Sequence, residues 1–496
     1  MFETELKFQV PAEAARAVRA AMAAASPRRQ HLQAIYFDTA EGALGQAGVA
    51  LRLRREGPRW VQTLKARGAN AAQRHEHNAP VPRGQPTGRP ELGRHAGSPA
   101  AEAWAQALGE AIGSFDAARL QPVMSTDIWR RSVVLRGEGW AVELAFDEGE
   151  VRAGERVAKV CELEYELLEG TLADLARLAA EGIERHGLFL DTVSKAERGE
   201  LLAQGRAWPP AARFRAPEQP PRPADGAALW HDALARCAAM LLPNASALAN
   251  GSTEPEHVHQ LRVGIRRLRT AVGELGPLVG LRDEPAWLAP LVELFRGLSA
   301  GRDAAALQVA LLPLLEAAGA PCTDWREAGV ATPPAPAALL RAPAVQQALL
   351  GLLVDAAAPS PVEAWGGDRA LGHVRDRLDK LQRQVMRAGR DFERLPEPQQ
   401  HEARKRLKRL RYLAEFTGRA VGKPKALARW LKPLAAAQDA LGAYQDRLVA
   451  LPLYRAAAER QPEAWFAVGW LTAECRVAAG ACGAALQRLG EAKRFW

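Results

Sequence analysis

The opening residues, MFETELKFQV, alternate strictly: Glu3, Glu5 and Lys7 occupy one set of positions and Thr4, Leu6 and Phe8 the other. In a strand, residues two apart share a face, so two carboxylates and an ammonium point one way and an apolar set the other. The pattern recurs downstream. VCELEYELL at 160–168 puts Glu162, Glu164 and Glu166 on one face, and VALRLRR at 49–55 does the same with Arg52 and Arg54. Lys65 ends the strand WVQTLK, and Trp140–Asp147 carries Glu143 with Asp147 four residues on. A charged face built of acids on some strands and bases on others is costly to bury unless the signs are matched. Carboxylates are natural ligands of a hard divalent cation, and lysines and arginines suit phosphate oxygens.

Around these strands the residues up to 205 mix strand and helix signals. Strands are predicted at His31–Asp38, Val49–Glu56, Arg59–Ala66, Thr126–Arg136, Trp140–Glu150 and Lys159–Leu168. Helices are predicted over Ala12–Ala25, Ala100–Ile112 and Leu172–His186, with a Gly- and Pro-containing loop at 79–100. Antiparallel strands with polar faces suggest a barrel or a strongly curved sheet. Residues 206–224, RAWPPAARFRAPEQPPRPA, read as a stiff linker. The chain of 496 residues is too long for one core, and a domain boundary is expected here, between 1–205 and 225–496.

From Asp225 onward the periodicity is helical throughout. HQLRVGIRRLR at 259–269 repeats as HEARKRLKRLR at 401–411, and GLSAGRDAAAL at 297–307 is followed in register by LGAYQDRLVAL at 441–451. Two patterns recurring in the same order indicate a duplicated helical unit. In the first copy Val258, Leu261, Ile265, Leu268 and Val272 form a core-facing stripe. His259, Arg262, Arg266 and Arg269 repeat that spacing one position along, and His401, Arg404, Lys408 and Arg411 align in the second copy. Like charges three or four apart cost a helix roughly 0.2–0.5 kcal/mol per pair. Two such stripes in register therefore favour a phosphate-binding groove, with Asp303 and Asp446 as internal compensation. A histidine metal site is disfavoured, since the surrounding arginines repel a cation.

Composition sets the wider limits. A net charge of +9 favours an anionic partner. Apart from Tyr412 the basic helices lack the interleaved aromatics of a base-stacking surface, so nucleic acid is not the expected partner. Five scattered cysteines give neither a metal spacing nor a disulfide framework and point to a reducing, cytoplasmic setting. No apolar run reaches a membrane span, and the N-terminus lacks the basic and apolar regions of a signal peptide. The glycines near 42–48 lack the Lys-Ser/Thr of a nucleotide-binding P-loop.

In ETELK at 3–7, YFDT at 36–39, ALRLRRE at 50–56, QTLK at 62–65, WAVELAFDEGEV at 140–151, ELEYELLEG at 162–170 and SKAERG at 194–199 the first segment resembles the CYTH domain of the triphosphate tunnel metalloenzymes. The resemblance implies an eight-stranded antiparallel β tunnel with flanking helices, hydrolysing inorganic triphosphate with Mg2+ or Mn2+. It implies Glu3, Glu5, Glu162 and Glu164 as metal ligands, supported by Glu143. Lys7, Arg52, Arg54, Lys65, Arg131 and Lys195 would grip the phosphates, with Glu5 and Lys7 carrying catalysis. RHEHN at 74–78 departs from the family's Arg-x-Glu-x-Glu strand in ending on Asn78. The helical half resembles the CHAD domain in VHQLRVGIRRLR at 258–269, AGRDAAAL at 300–307, HEARKRLKRLRYLAEF at 401–416 and QDALGAYQD at 438–446. That implies all-α duplicated four-helix bundles binding inorganic polyphosphate, and an association with polyphosphate granules. The whole is thus expected to be an α+β multidomain protein. Adenylate cyclase, thiamine triphosphatase, or polyphosphate binding without catalysis remain alternatives.

Overall fold

Three two-residue connections set the register of the sheet in the computed structural model, which describes residues 2–68, 73–82, 88–299, 311–321, 335–358 and 363–496. Glu56 pairs with Arg59, Gly137 with Trp140 and Ala153 with Arg156. Gly139 and Gly154 take φ of 73° and 57°, the left-handed region that tight hairpins require. The strands are β1 (Phe2–Gln9), β2 (Arg28–Asp38), β3 (Val49–Glu56), β4 (Arg59–Arg67), β5 (Gln73–Val81), β6 (Gln121–Gly137), β7 (Trp140–Ala153), β8 (Arg156–Glu169) and the two-residue β9 (Phe189–Leu190).

Their order is β5-β4-β3-β2-β6-β7-β8-β1-β9, and β1 also pairs with β5. One edge of β1 lies on β8; the other is shared, with Phe2–Thr4 on β5 and Phe8 and Gln9 on β9. The β1–β5 pairing links one end of the order to the strand next to the other end, so the eight long strands follow one another in a ring, all antiparallel, as expected. β5 ends inside the stretch 79–100 expected to be a loop, of which residues 83–87 lie outside the described residues.

The apolar set of the alternation packs outside the ring. Leu51, Leu53 and Leu64 are buried with Trp104 and Phe115 beneath the helix Pro99–Leu108. The helix Leu172–His186 has the expected bounds. A Thr171/Asp174 capping box starts it, Gly187 at φ 63° ends it, and its buried face is Leu175, Leu178, Ala179 and Ile183.

No helix or strand occurs between Ala203 and Gly226, and the described residues beyond are all-helical. Helices Gly367–Arg390, Glu397–Val421, Pro424–Ala458 and Trp465–Glu491 each pack on two of the others, closing a four-helix bundle. The repeat segment 300–307 with Asp303, and Cys322, lie outside the described residues.

Two compact units divide the chain, and they are not its sequential halves. The first holds Met1–Arg213, Ala238–Leu261 and Pro336–Ala357; the second holds Phe214–Cys237, Arg262–Ala335 and Ala358–Trp496. Two stretches of the helical region therefore pack in the same unit as the barrel. Among the described residues no helix is long and apolar enough to cross a membrane.

Candidate active site

Strand alternation and the hairpin register send the charged residues inward, where they line one cavity of about 750 Å3. Glu3, Glu5, Lys7, Arg52, Arg54, Lys65, Glu143, Glu164 and Lys195 all line it. Glu162 lies behind the lining, fully buried, 3.5 Å from Lys7 Nζ and in contact with Lys195. Arg131 is a correction. Neighbours on β6 face opposite ways, and Arg131 points out of the ring, its Nη1 2.6 Å from Glu148 Oε2. Arg130 is the β6 arginine that lines the cavity.

Two acidic groups stand in the cavity. In the first, Asp147, Glu162 and Glu164 bring carboxylate oxygens within 4.8 Å of one another. Lys195 Nζ lies 2.7 Å from both Asp147 and Glu164, and Arg130 spans the same two carboxylates. Burial opposes these charges, but mutual attraction wins. Lys195 and Arg130 are held well above their ordinary values by the carboxylates, and Glu164 well below its own by Lys195 and Arg130.

The second group surrounds Lys65, whose Nζ is 2.8 Å from Glu3 and 2.5 Å from Glu76. Burial, with the nearby Glu5 and Glu76 charges, pushes Glu3 up; burial also raises Glu166, helped by Glu143, Glu5 and Glu76. Burial opposes the Glu76 charge, but Lys65, the Glu3 hydrogen bond and Arg52 hold that carboxylate well below its ordinary value, so Glu3 is the member of the group left short of positive charge. Asn78 stands beside it, accepting from Thr63 Oγ1 at 2.7 Å and donating to Glu76 at 2.8 Å.

On β3 the imbalance is reversed. Arg52 Nη1 donates to the Tyr36 hydroxyl at 3.1 Å, and Arg54 Nε donates to Glu56 at 2.7 Å. Burial and the adjacent Arg52 lower the Arg54 guanidinium. Burial alone would raise the Tyr36 phenol, but Arg52, Lys195 and Arg54 bring it down. Both shifts mark a crowded positive patch on β3. Sequence reasoning assigned no role in the site to Arg130, Asp147, Glu76, Tyr36 or Asp191.

In the second compact unit Arg262 and Arg266, on the part of the helix Pro255–Leu275 from residue 262 on, and Arg404, on the helix Glu397–Val421, all act on the Lys408 charge. The Arg266 Nε is buried without a hydrogen-bond partner among the described residues. Burial, then Arg266, Arg404 and Arg262, draw Lys408 down to about 7 against the pull of Asp446. Arg269 is exposed, Arg411 donates to Glu415 at 2.8 Å and Gln438 at 2.9 Å, and the His401 ring is 3.1 Å from Gln445 Oε1. His259 belongs to the first compact unit.

A charged-lumen barrel followed by a duplicated basic helical region is the class these features define. Residues 1–199 match the family model of the CYTH domain and residues 232–455 that of the CHAD domain. The chain carries a CYTH domain followed by a CHAD domain. It is 28% identical over 171 residues to an inorganic triphosphatase of Haemophilus influenzae, covering 34% of this chain and 44% of that one. The chain thus spans less than half the length of that relative. Among solved structures, the CHAD domain of the plant Ricinus communis is 25% identical, covering 55% of this chain and 96% of that one, with a TM-score of 0.43. A candidate adenylyl cyclase from Hippeastrum with a dominant triphosphatase activity is 21% identical, covering 42% and 98%, with a TM-score of 0.29.

Proposed function

We propose that the barrel hydrolyses inorganic triphosphate to pyrophosphate and phosphate with Mg2+ or Mn2+, and that the helical region binds longer polyphosphate. The observation that carries the first part is one cavity whose lining holds both a carboxylate short of positive charge and crowded guanidinium groups. The triphosphatase relative supports the reaction type.

The donor set fits a hard divalent ion, because it is all carboxylate and three of its oxygens stand within 4.8 Å of one another. Asp147, Glu162 and Glu164 would hold it, with Glu3, Glu5 and Glu143 as the further carboxylates lining the same cavity. Bound there, a divalent cation supplies charge screening of the phosphates and acidification of a water. Lys7, Arg52, Arg54, Lys65 and Lys195 neutralise the phosphoryl oxygens and hold the chain in line, and Arg130 sets Asp147 and Glu164. Glu5 orients the attacking water and takes its proton.

Purified protein given tripolyphosphate and Mg2+ should release phosphate, and a chelator, Glu5→Gln or Lys7→Ala should stop it. Equal release by wild type and variants removes the assignment. Parallel assays on pyrophosphate, ATP, thiamine triphosphate and long-chain polyphosphate define the substrate. Asn78, in the place of the family's last Glu, favours one second reading, a cavity that binds triphosphate without turning it over; binding without phosphate release would establish it.

For the helical region, the support is the Arg262, Arg266, Arg404 and Lys408 cluster, with an unsatisfied Arg266 Nε inside it. Like charges held this close are stabilised by an anion.

A further inference from the structure

β9 is two residues long, yet its surroundings are fastened by side chains from helical stretches far away in sequence but within the same compact unit. Gln346, buried in the helix Pro343–Ala357, accepts from the Leu190 amide at 2.8 Å and donates to the Leu340 carbonyl at 2.7 Å. Ser246, buried in residues 238–249, accepts from the Thr192 amide at 3.1 Å and donates to Asp191 Oδ1 at 3.0 Å. The Val193 amide donates to the same oxygen at 2.9 Å. The other Asp191 oxygen receives Lys7 Nζ at 3.1 Å, Gln9 Nε2 at 2.6 Å and Arg198 Nη2 at 2.7 Å. Lys7 also donates to the Val193 carbonyl.

We propose that Ser246 is a positioning residue for triphosphate binding, fixing the Asp191 carboxylate and through it the direction in which the Lys7 ammonium meets the phosphates. The proposal rests on the reading of the barrel as a triphosphate site. A lysine has three donors on a flexible stem. Here two are spent on Asp191 and Val193 and Glu162 lies 3.5 Å away, so at most one is left to meet a phosphate oxygen in the cavity that Lys7 lines. Holding the stem in advance removes part of its ordering cost from the binding step. Without the Ser246 hydroxyl, Asp191 Oδ1 keeps one donor and the Thr192 amide loses its acceptor. The three donors on the other Asp191 oxygen remain, so the 191–193 segment loosens and Lys7 is set wrongly rather than lost.

The test is calorimetric titration of tripolyphosphate into the full chain as wild type, Ser246→Ala, Ser246→Thr, Lys7→Ala and the Ser246→Ala/Lys7→Ala double variant, with steady-state rates alongside. Ser246→Ala should weaken binding about three- to ten-fold, in KM more than in kcat, as expected for a displaced charge-assisted contact. Ser246→Thr, which keeps the hydroxyl, should restore it. In the Lys7→Ala background Ser246→Ala should cost nothing further. A role in folding alone changes the binding-competent fraction and takes the same toll in both backgrounds. Unchanged affinity in Ser246→Ala, or an equal loss with and without Lys7, overturns the proposal. The double-variant comparison decides even if the threonine is not accommodated. A wild type that binds no tripolyphosphate overturns the triphosphate reading and this proposal together; a wild type that binds it while Ser246→Ala binds equally overturns this proposal alone.

Discussion

Arg130 holds Asp147 with two arms of its guanidinium, Nε to Oδ1 at 2.7 Å and Nη2 to Oδ2 at 2.6 Å. The two are direct cross-strand partners on β6 and β7, and both line the cavity. Such a fork fixes direction as well as charge. Arg130 also reaches Glu164, so it and Lys195 compensate a cluster of acids from two strands. A divalent cation entering there competes with both for the same oxygens.

Arg130→Lys keeps the charge and loses the fork, and it should lower kcat/KM for tripolyphosphate by about ten-fold or more. Arg131→Lys, whose side chain meets Glu148 outside the ring, should stay within about two-fold. Phosphate release under steady-state conditions separates them, and the reverse ranking would return Arg131 to the site.

Asp191 gives an acid-stability signature. Burial alone would raise it, but Lys7 and Arg198, with the Val193 amide and Gln9, bring it down to about 2 from an ordinary 3.8. The folded state therefore binds this proton less readily than the unfolded chain. The contribution is complete above about pH 4, worth about 2 kcal/mol, and lost as pH falls through 2. Asp191→Asn should be less stable than wild type at pH 7, and the gap should shrink between pH 4 and 2. Urea midpoints across that range measure it; a gap that does not change with pH contradicts the assignment.

Lys408 predicts a proton uptake. Lowered to about 7 by burial and its arginine neighbours, it is half neutral near pH 7. A bound polyanion favours the charged form and raises it, so affinity is full below about pH 7 and falls as pH rises toward 9. Titration of polyphosphate at pH 8, in buffers of differing ionisation enthalpy, should show protons taken up by wild type and none of this uptake in Lys408→Met. The same uptake in both would exclude Lys408 as the source.

Strand parity made much of the barrel legible. ETELK and VCELEYELL declare which residues share a face whatever surrounds them, and nine of the expected residues line the cavity. The Thr171 and Asp174 box and Gly187 likewise marked both ends of one helix. Arg130 was also readable, because the turn at Glu138–Gly139 sets it opposite Asp147. Asp191 was not. It follows a strand too short for periodicity, and its partners Lys7 and Ser246 lie 184 and 55 residues away. Helical periodicity tells that Leu242 and Leu353 are turned inward but not against what, and both prove to line the barrel cavity.

The sharing of one unit by the barrel and residues 238–261 and 336–357 bears on how such a gene can be cut. Dissection at the proline-rich stretch looks natural on the page, yet it strips the Leu190 and Thr192 amides of the acceptors supplied by Gln346 and Ser246. Module swapping at that point would exchange two amide acceptors and the cavity-lining Leu242 and Leu353 along with the neighbour.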